Sequence, residues 1–191
     1  MKIDRLISKC IAKNTLAEKE FYYTFAKYVF GICRRYTNDD HQAEDWMQES
    51  MHKVFYHLHK YDQQKASIKT WISTITVNTI LSDKAKVKTK LSYQDISKIG
   101  KNISTNNHIK ELEDFIYHGI SKNDLLSAIR KLSGDYRDVI NLYVFENWTH
   151  ADIAAILNIK ESSSRSKLTR AKKILKELLT QKSTQYNERV V

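Results

Sequence analysis

Proline is absent from the 191 residues and glycine occurs only four times, where average usage would put roughly ten and thirteen in a chain of this length. Hairpin turns, Greek-key corners and phosphate-cradling loops draw on those two residues. A β-sandwich, a P-loop enzyme and a glycine-rich dinucleotide site are therefore disfavoured. Cysteine is scarce too: Cys10 and Cys33 stand far apart, with no Cys-x-x-Cys or Cys/His spacing around them. That suits two buried thiols in a reducing cytoplasm. The longest uncharged stretch that leans apolar, Thr70 to Ser82, is broken by Thr, Ser and Asn and falls short of the roughly 20 apolar residues of a membrane span. The opening MKIDRLISKC is charged every few residues and holds no apolar signal core. The expectation is a cytoplasmic chain with no membrane span.

What is abundant is positive charge. Lys and Arg number 32 against 22 Asp and Glu, a net +10, which favours polyanionic partners, nucleic acid first and an anionic membrane surface second. Residues 1–90 hold 16 basic and 10 acidic side chains, while residues 91–124 hold 4 and 5 and show no stable period. The expected fold is all-α, with two small helical domains joined by a polar linker. The divisions expected are a domain over 1–90, a linker over 91–123, a domain over 124–180 and a tail over 181–191.

Helical spacing is clear in both parts. Ala43, Trp46, Met47, Ser50, Met51, Val54, Phe55 and Leu58 form one continuous face, and Phe21, Phe25, Tyr28, Ile32 and Tyr36 another. A further helix is expected from about Ile68 to Lys86, with Ile68, Trp71, Ile72 and Ile75 on its buried side. The C-terminal part offers helices over 125–132, 136–146, 149–157 and about 163–179.

The segment THADIAAILNIKESSSRSKLTRAKKILKELL reads as a helix-turn-helix. Thr149 is a good N-cap, and Asp152 can answer it in the manner of a capping box. Ile153, Ala154, Ile156 and Leu157 supply a packing face. Asn158-Ile159-Lys160 makes a three-residue turn in which Asn tolerates the left-handed conformation and Ile159 plugs the corner. The second helix buries Leu168, Ala171, Leu175 and Leu178. Its other face presents Ser163, Arg165, Ser166, Lys167, Thr169, Arg170 and Lys173. Only 8 of the chain's basic residues are arginines, and two of them fall here. Arginine's fork matches guanine O6 and N7 in the major groove, so this face is expected to bind DNA.

LSGDYRDVINLYVFENWTHADIAAILNIKESSSRSKLTRAKKILKEL resembles region 4 of bacterial sigma factors, and the N-terminal part resembles region 2. The combination with a short linker is similar to the extracytoplasmic-function type. AEDWMQESM (43–51) and KTWISTITVN (69–78) are the most specific pieces. The resemblance implies a promoter-specificity subunit without catalytic residues, metal or cofactor. Its implied partners are core RNA polymerase, through the β′ clamp and the β flap, promoter DNA, and an anti-sigma factor. Asp45, Gln48, Glu49 and His52, at i, i+3, i+4 and i+7, would dock on the polymerase. Charges at Asp39, Asp40, Glu44 and Asp45 also suit a helix N-terminus. Tyr61, Lys65, Trp71, Thr74, Asn78, Lys84 and Lys86 would read and hold the minus-ten strand, Asn78 offering an amide to a base edge. The face of the second helix in the helix-turn-helix would read the minus-thirty-five element.

The chain departs from the family pattern in places. Ser133 stands where proline is usual, Ser162-Ser163-Ser164 replaces Gly-Thr-Val, and Ser82 then Asp83 occupy the place of an acidic residue. Ser164, one turn before Leu168, puts a hydroxyl where an apolar contact is expected, which would loosen the helix start. A stand-alone DNA-binding regulator is the main alternative, but it leaves the acidic stripe and the Trp71–Asn78 helix unexplained. A metal site from His52, His57 and His59 with Asp40, His41, Glu44 and Asp45 lacks any His–carboxylate spacing.

Overall fold

The structure, a computed structural model, describes residues 2–86 and 120–188, with side chains placed for 3–85 and 120–181. Among these residues every regular element is helical, and they fall into two compact units that divide at residue 91. The first unit comprises α1 (Lys2–Ile11), α2 (Thr15–Arg34), α3 (Asp40–His57) with a 3-10 turn over Leu58–Lys60, and α4 (Ile68–Lys86). The second comprises α5 (Lys122–Lys131), α6 (Gly134–Ile140), which passes into a π-helical turn over Asn141–Phe145, α7 (His150–Leu157) and α8 (Glu161–Glu188).

In the first unit α2, α3 and α4 pack against one another pairwise, and α1 lies on α2 and on the turn after α3. The expected faces supply this core. Phe21, Phe25 and Ile32 from α2, with Tyr36 just after it, and Ala43, Trp46, Met51 and Val54 from α3 are all buried. Phe21 is the hub, with its ring centroid 4.7 Å from Phe25 and 5.4 Å from Phe55. Helix α1 was not among the expected elements, although Leu6, Ile7 and Cys10 are buried at helical spacing. Its short apolar face was outweighed by the charges between.

The buried side of α4 differs from the one expected. Of Ile68, Trp71, Ile72 and Ile75 only Ile72 is fully buried, and the inward face runs through Ile72, Thr76, Val77 and Ile80. Threonine and serine can line it because they bond back to their own helix. Ser73 and Thr74 hydroxyls donate to the Thr70 carbonyl at 3.0 and 2.9 Å, and Thr76 and Thr79 donate to Ile72 and Ile75, each at 2.9 Å. Such back-bonding hides a hydroxyl inside an apolar contact. It also blurs the polar/apolar period on which a face assignment rests.

In the second unit α8 packs along α5, α6 and α7. Ser121 caps α5, and Arg137 of α6 donates to the Arg130 and Leu132 carbonyls at the end of α5, the latter at 3.0 Å. A guanidinium matches two such acceptors at once, and its burial pushes the Arg137 pKa down. Inside α8 the buried series is Leu168, Ala171, Leu175 and Leu179, so Leu179 replaces the expected Leu178, which is half-buried. The helix starts at Glu161, ahead of the expected Ser163, and continues through Glu188, so residues 181–188 of the expected tail are helical. Lys122 and Asn123, expected in the linker, already belong to α5. Residues 91–119 of that linker and residues 189–191 lie outside the described residues.

Both cysteines are buried and free. Burial pushes the Cys33 thiol up to about 12 and raises Cys10 as well. Because the thiolate is the reactive form, the folded chain should leave Cys33 unmodified by DTNB at pH 8, with full reaction only after denaturant is added. Prompt reaction of both thiols in the native protein would contradict this core.

Candidate nucleic-acid and protein-docking surfaces

Helix α3 starts at Asp39, whose carboxylate accepts from the His41 and Gln42 N–H groups at 2.9 and 3.4 Å. Asp40 pairs with Arg34 at 3.3 Å. These two carboxylates are therefore engaged by the fold, as the helix-terminus alternative for them anticipates. Beyond them Asp45, Gln48, Glu49 and His52 all face solvent. Tyr56, 68% exposed, extends the same stripe three turns after Asp45. Sequence reasoning passed over Tyr56, although its spacing of eleven from Asp45 was visible. Tyrosine is among the side chains enriched at protein–protein contacts. Among the described residues no three of His, Cys, Asp and Glu approach closely enough to hold a metal ion.

The loop into α4 is built by short-range bonds. The Asp62 carboxylate accepts from the Gln64 N–H at 2.9 Å, which holds its pKa below the usual range, and Lys65 lies 3.4 Å from it. Tyr61 donates its hydroxyl to the Ala66 carbonyl at 3.1 Å, and its ring lies 5.5 Å from that of Trp71. Ser67 then caps the helix by accepting from the Thr70 N–H at 3.1 Å. Trp71, Thr74 and Asn78 share a half-exposed stripe of α4. Thr74's hydroxyl hydrogen is taken by the Thr70 carbonyl. The Asn78 Oδ1 is different, since it is shielded from water with no hydrogen-bond partner among the described residues. An unmet buried acceptor is uncommon, and each one calls for a reason. Lys84 lies with its Nζ 5.8 Å above the Tyr36 ring. The Lys86 side chain is outside the described residues.

The helix-turn-helix forms with its caps as expected. Thr149 Oγ1 accepts from the Asp152 N–H at 3.1 Å and donates to the Asp152 carboxylate at 2.7 Å. Asp152 thus answers the cap through the hydroxyl. Asn158 is left-handed, at φ 52° and ψ 50°, and its N–H reaches the Ala154 carbonyl. Ile159 is half-buried at the corner.

On α8 the residues Arg165, Ser166, Thr169, Arg170 and Lys173 are exposed, while Ser163 and Lys167 are half-buried. Arg165 pairs with Glu161 one turn back. Lys167 bonds Asp135 at 2.7 Å and sits 5.8 Å over the Tyr136 ring. Arg165, Ser166, Thr169, Arg170 and Lys173 are thus exposed away from Leu168, Ala171 and Leu175, while Ser163 and Lys167 lie at the edge of the packed side.

Ser164 corrects one expectation. Its side chain is fully buried, yet the hydroxyl meets His150 Nδ1 at 2.9 Å. The His150 ring in turn stacks on Tyr143, with centroids 4.6 Å apart at 23°. The serine thus ties α8 to α7 where a loosened helix start was expected, because the partner lies fourteen residues away and only the tertiary fold brings it near.

Residues 21–89 match the family model of sigma-70 region 2, and residues 122–175 match sigma-70, region 4. Together the two models span most of the chain. The chain belongs to the sigma-70 family. It is 26% identical over 162 residues to the ECF RNA polymerase sigma factor SigM of Bacillus subtilis, covering 83% of this chain and 93% of that protein. It is 29% identical over 143 residues to RNA polymerase sigma factor SigZ of the same organism, 74% of this chain and 75% of that one. Among solved structures it is similar to the sigma factor RpoE of Bartonella quintana, crystallised with the anti-sigma factor NepR. The TM-score there is 0.50 and the identity 20%, with 85% of this chain and 96% of that one covered. Sigma-70 regions 2 and 4 bind core RNA polymerase and promoter DNA, and this sigma factor, of the extracytoplasmic-function type, directs promoter recognition in transcription initiation. No helix among the described residues is long and apolar enough to cross a membrane.

Replacing Ser164 by Ala removes the buried partner of His150 and should destabilise the chain by about 1 kcal/mol, read as a lower urea midpoint. An unchanged midpoint would show that the Ser164–His150 bond contributes nothing net.

Proposed function

We propose that this sigma factor divides its work between the two units. In the first, spanning about 1–90, Asp45, Gln48, Glu49 and His52 dock on the β′ clamp of core RNA polymerase. Tyr61, Lys65, Trp71, Thr74, Asn78, Lys84 and Lys86 take up the minus-ten strand. In the second, spanning about 124–180 after the linker, α8 enters the major groove of the minus-thirty-five element with Ser163, Arg165, Ser166, Lys167, Thr169, Arg170 and Lys173. That unit also meets the β flap. The protein works in the cytoplasm and supplies no catalytic group, since the phosphodiester chemistry belongs to the core enzyme. An anti-sigma factor is a further partner under this reading, in keeping with the complex in which its Bartonella relative in fold was solved.

The observation that carries the reading is the two-sidedness of α8. Behind a left-handed Asn158 turn, its apolar side is consumed by the core while Arg165, Arg170 and Lys173 stay in water. Arginines so placed can meet base edges and lysines the phosphates. The acidic stripe of α3 supports the docking role, because complementary charge steers association with a basic partner. Asn78 lies on the half-exposed stripe of α4, and a rotation of its amide would bring the oxygen that is unmet and shielded in the unbound fold to a donor on an unstacked base.

Arg165→Ala should lower transcription by about 5- to 150-fold, the worth of one good bidentate base contact, on templates with an intact minus-thirty-five element. Equal loss on templates lacking that element would remove the assigned role. Asp45→Lys with Glu49→Lys should abolish retention of core RNA polymerase in a pull-down at moderate salt. Retention equal to wild type would place the docking face elsewhere.

A further inference from the structure

The seam between α3 and α4 is apolar along most of its length, yet two polar bridges cross it. Trp46, 6% exposed, donates its indole N–H to Asp83 at 2.9 Å. Two turns further along α3, Lys53 Nζ lies 3.0 Å from Glu49 Oε1 and 3.4 Å from Thr79 Oγ1. The hydrogens give this second bridge a direction. Thr79 uses its one hydroxyl hydrogen on the Ile75 carbonyl at 2.9 Å, so towards Lys53 it only accepts, and the ammonium supplies the donor. The Lys53 side chain keeps 20% of its exposure, whereas the Glu49 side chain keeps 56%. A cation is thus held at the seam by an anion that itself faces water. Its acceptor across the seam is the residue after Asn78, whose Oδ1 is unmet.

We propose that Lys53 is a transferable cation. In the unbound chain Glu49 holds it against Thr79; when a basic surface of the polymerase takes Glu49, Lys53 passes to a phosphate oxygen of the promoter strand lying along α4. This rests on the docking role proposed for Glu49. An ion pair with one partner mostly in water is weak and is readily displaced by a basic competitor. When the lysine leaves, Glu49 is paired by the polymerase and Thr79 keeps its bond to Ile75. The flexible four-carbon stem allows the ammonium to swing while its methylenes stay packed. The Trp46–Asp83 bond involves neither partner and keeps α3 and α4 in register throughout. Docking would then add one positive charge to the strand-binding side of α4, so DNA is held more firmly in the holoenzyme than by the free chain.

The test titrates wild type, Lys53→Met, Lys53→Gln and Glu49→Gln with bacterial core RNA polymerase. Each holoenzyme is then bound, across a KCl series, to a fluorescein-labelled fork-junction DNA carrying a promoter found by run-off transcription from sheared genomic DNA. Methionine keeps the packed stem and removes the charge; glutamine repeats the test should methionine unsettle the seam. With its internal partner gone, Glu49 should bind core about 1.4- to 2.3-fold more tightly, the size of an i,i+4 pair. The slope of log K against log[KCl] on DNA should become shallower by about 0.7, one phosphate contact on a single strand. Glu49→Gln should weaken core binding and leave the DNA slope as in wild type. A plain structural brace would move the first quantity the other way, so core binding that is unchanged or weaker in both Lys53 variants overturns the handover, as does an unchanged salt slope. Unchanged core binding by Glu49→Gln would instead remove the docking role of Glu49, and the handover with it.

Discussion

Helix α3 has two obligations, and much of the first unit follows from meeting both. Ala43, Trp46, Met51 and Val54 must leave water, and they do so between α2 and α4. The burial of Met51, Val54 and most of Trp46 is worth roughly 1.5–3 kcal/mol per large side chain, which no surface pairing on the helix approaches. The rotation of α3 is therefore set by its apolar face, and Asp45, Gln48, Glu49 and His52 are presented to solvent as a consequence. The same rotation puts Trp46 and Lys53 on the flank facing α4. There each finds a polar partner, in Asp83 and Thr79.

Polar atoms inside the core are accommodated by two routes. In α4 the serines and threonines bond to carbonyls of the preceding turn, which lets hydroxyl-bearing residues line a buried face. In the second unit a distant partner does the same: Ser164 meets His150, and Arg137 meets the end of α5. Ser50 Oγ in α3 and Asn78 Oδ1 in α4 follow neither route, and both stay unmet among the described residues.

Each expectation that failed has its own physical cause. The inward face of α4 was misassigned because back-bonded threonine behaves as an apolar residue in packing while reading as polar. The expected Leu178 gives way to Leu179 in the buried series, a difference of one position in a helix whose period drifts over many turns. Ser164 was expected to weaken α8, because nothing near it in sequence could satisfy the hydroxyl. Helix α1 was overlooked since three buried residues among many charges make a faint stripe.

The amino-acid sequence by itself determined the helical class, the core faces of α2 and α3, the caps at Thr149 and Asn158, and the outward face of α8. Each of these depends on spacing and on local backbone preference, which act within a few residues. The resemblance to sigma factors was legible for the same reason, being carried by contiguous motifs. Only the tertiary structure decided which carboxylates were already engaged, that Asp83 serves Trp46, that Lys53 stands between Glu49 and Thr79, and that Asn78 is left unmet. Those are matters of which side chains meet across helices, and a chain's local preferences do not record its distant partners.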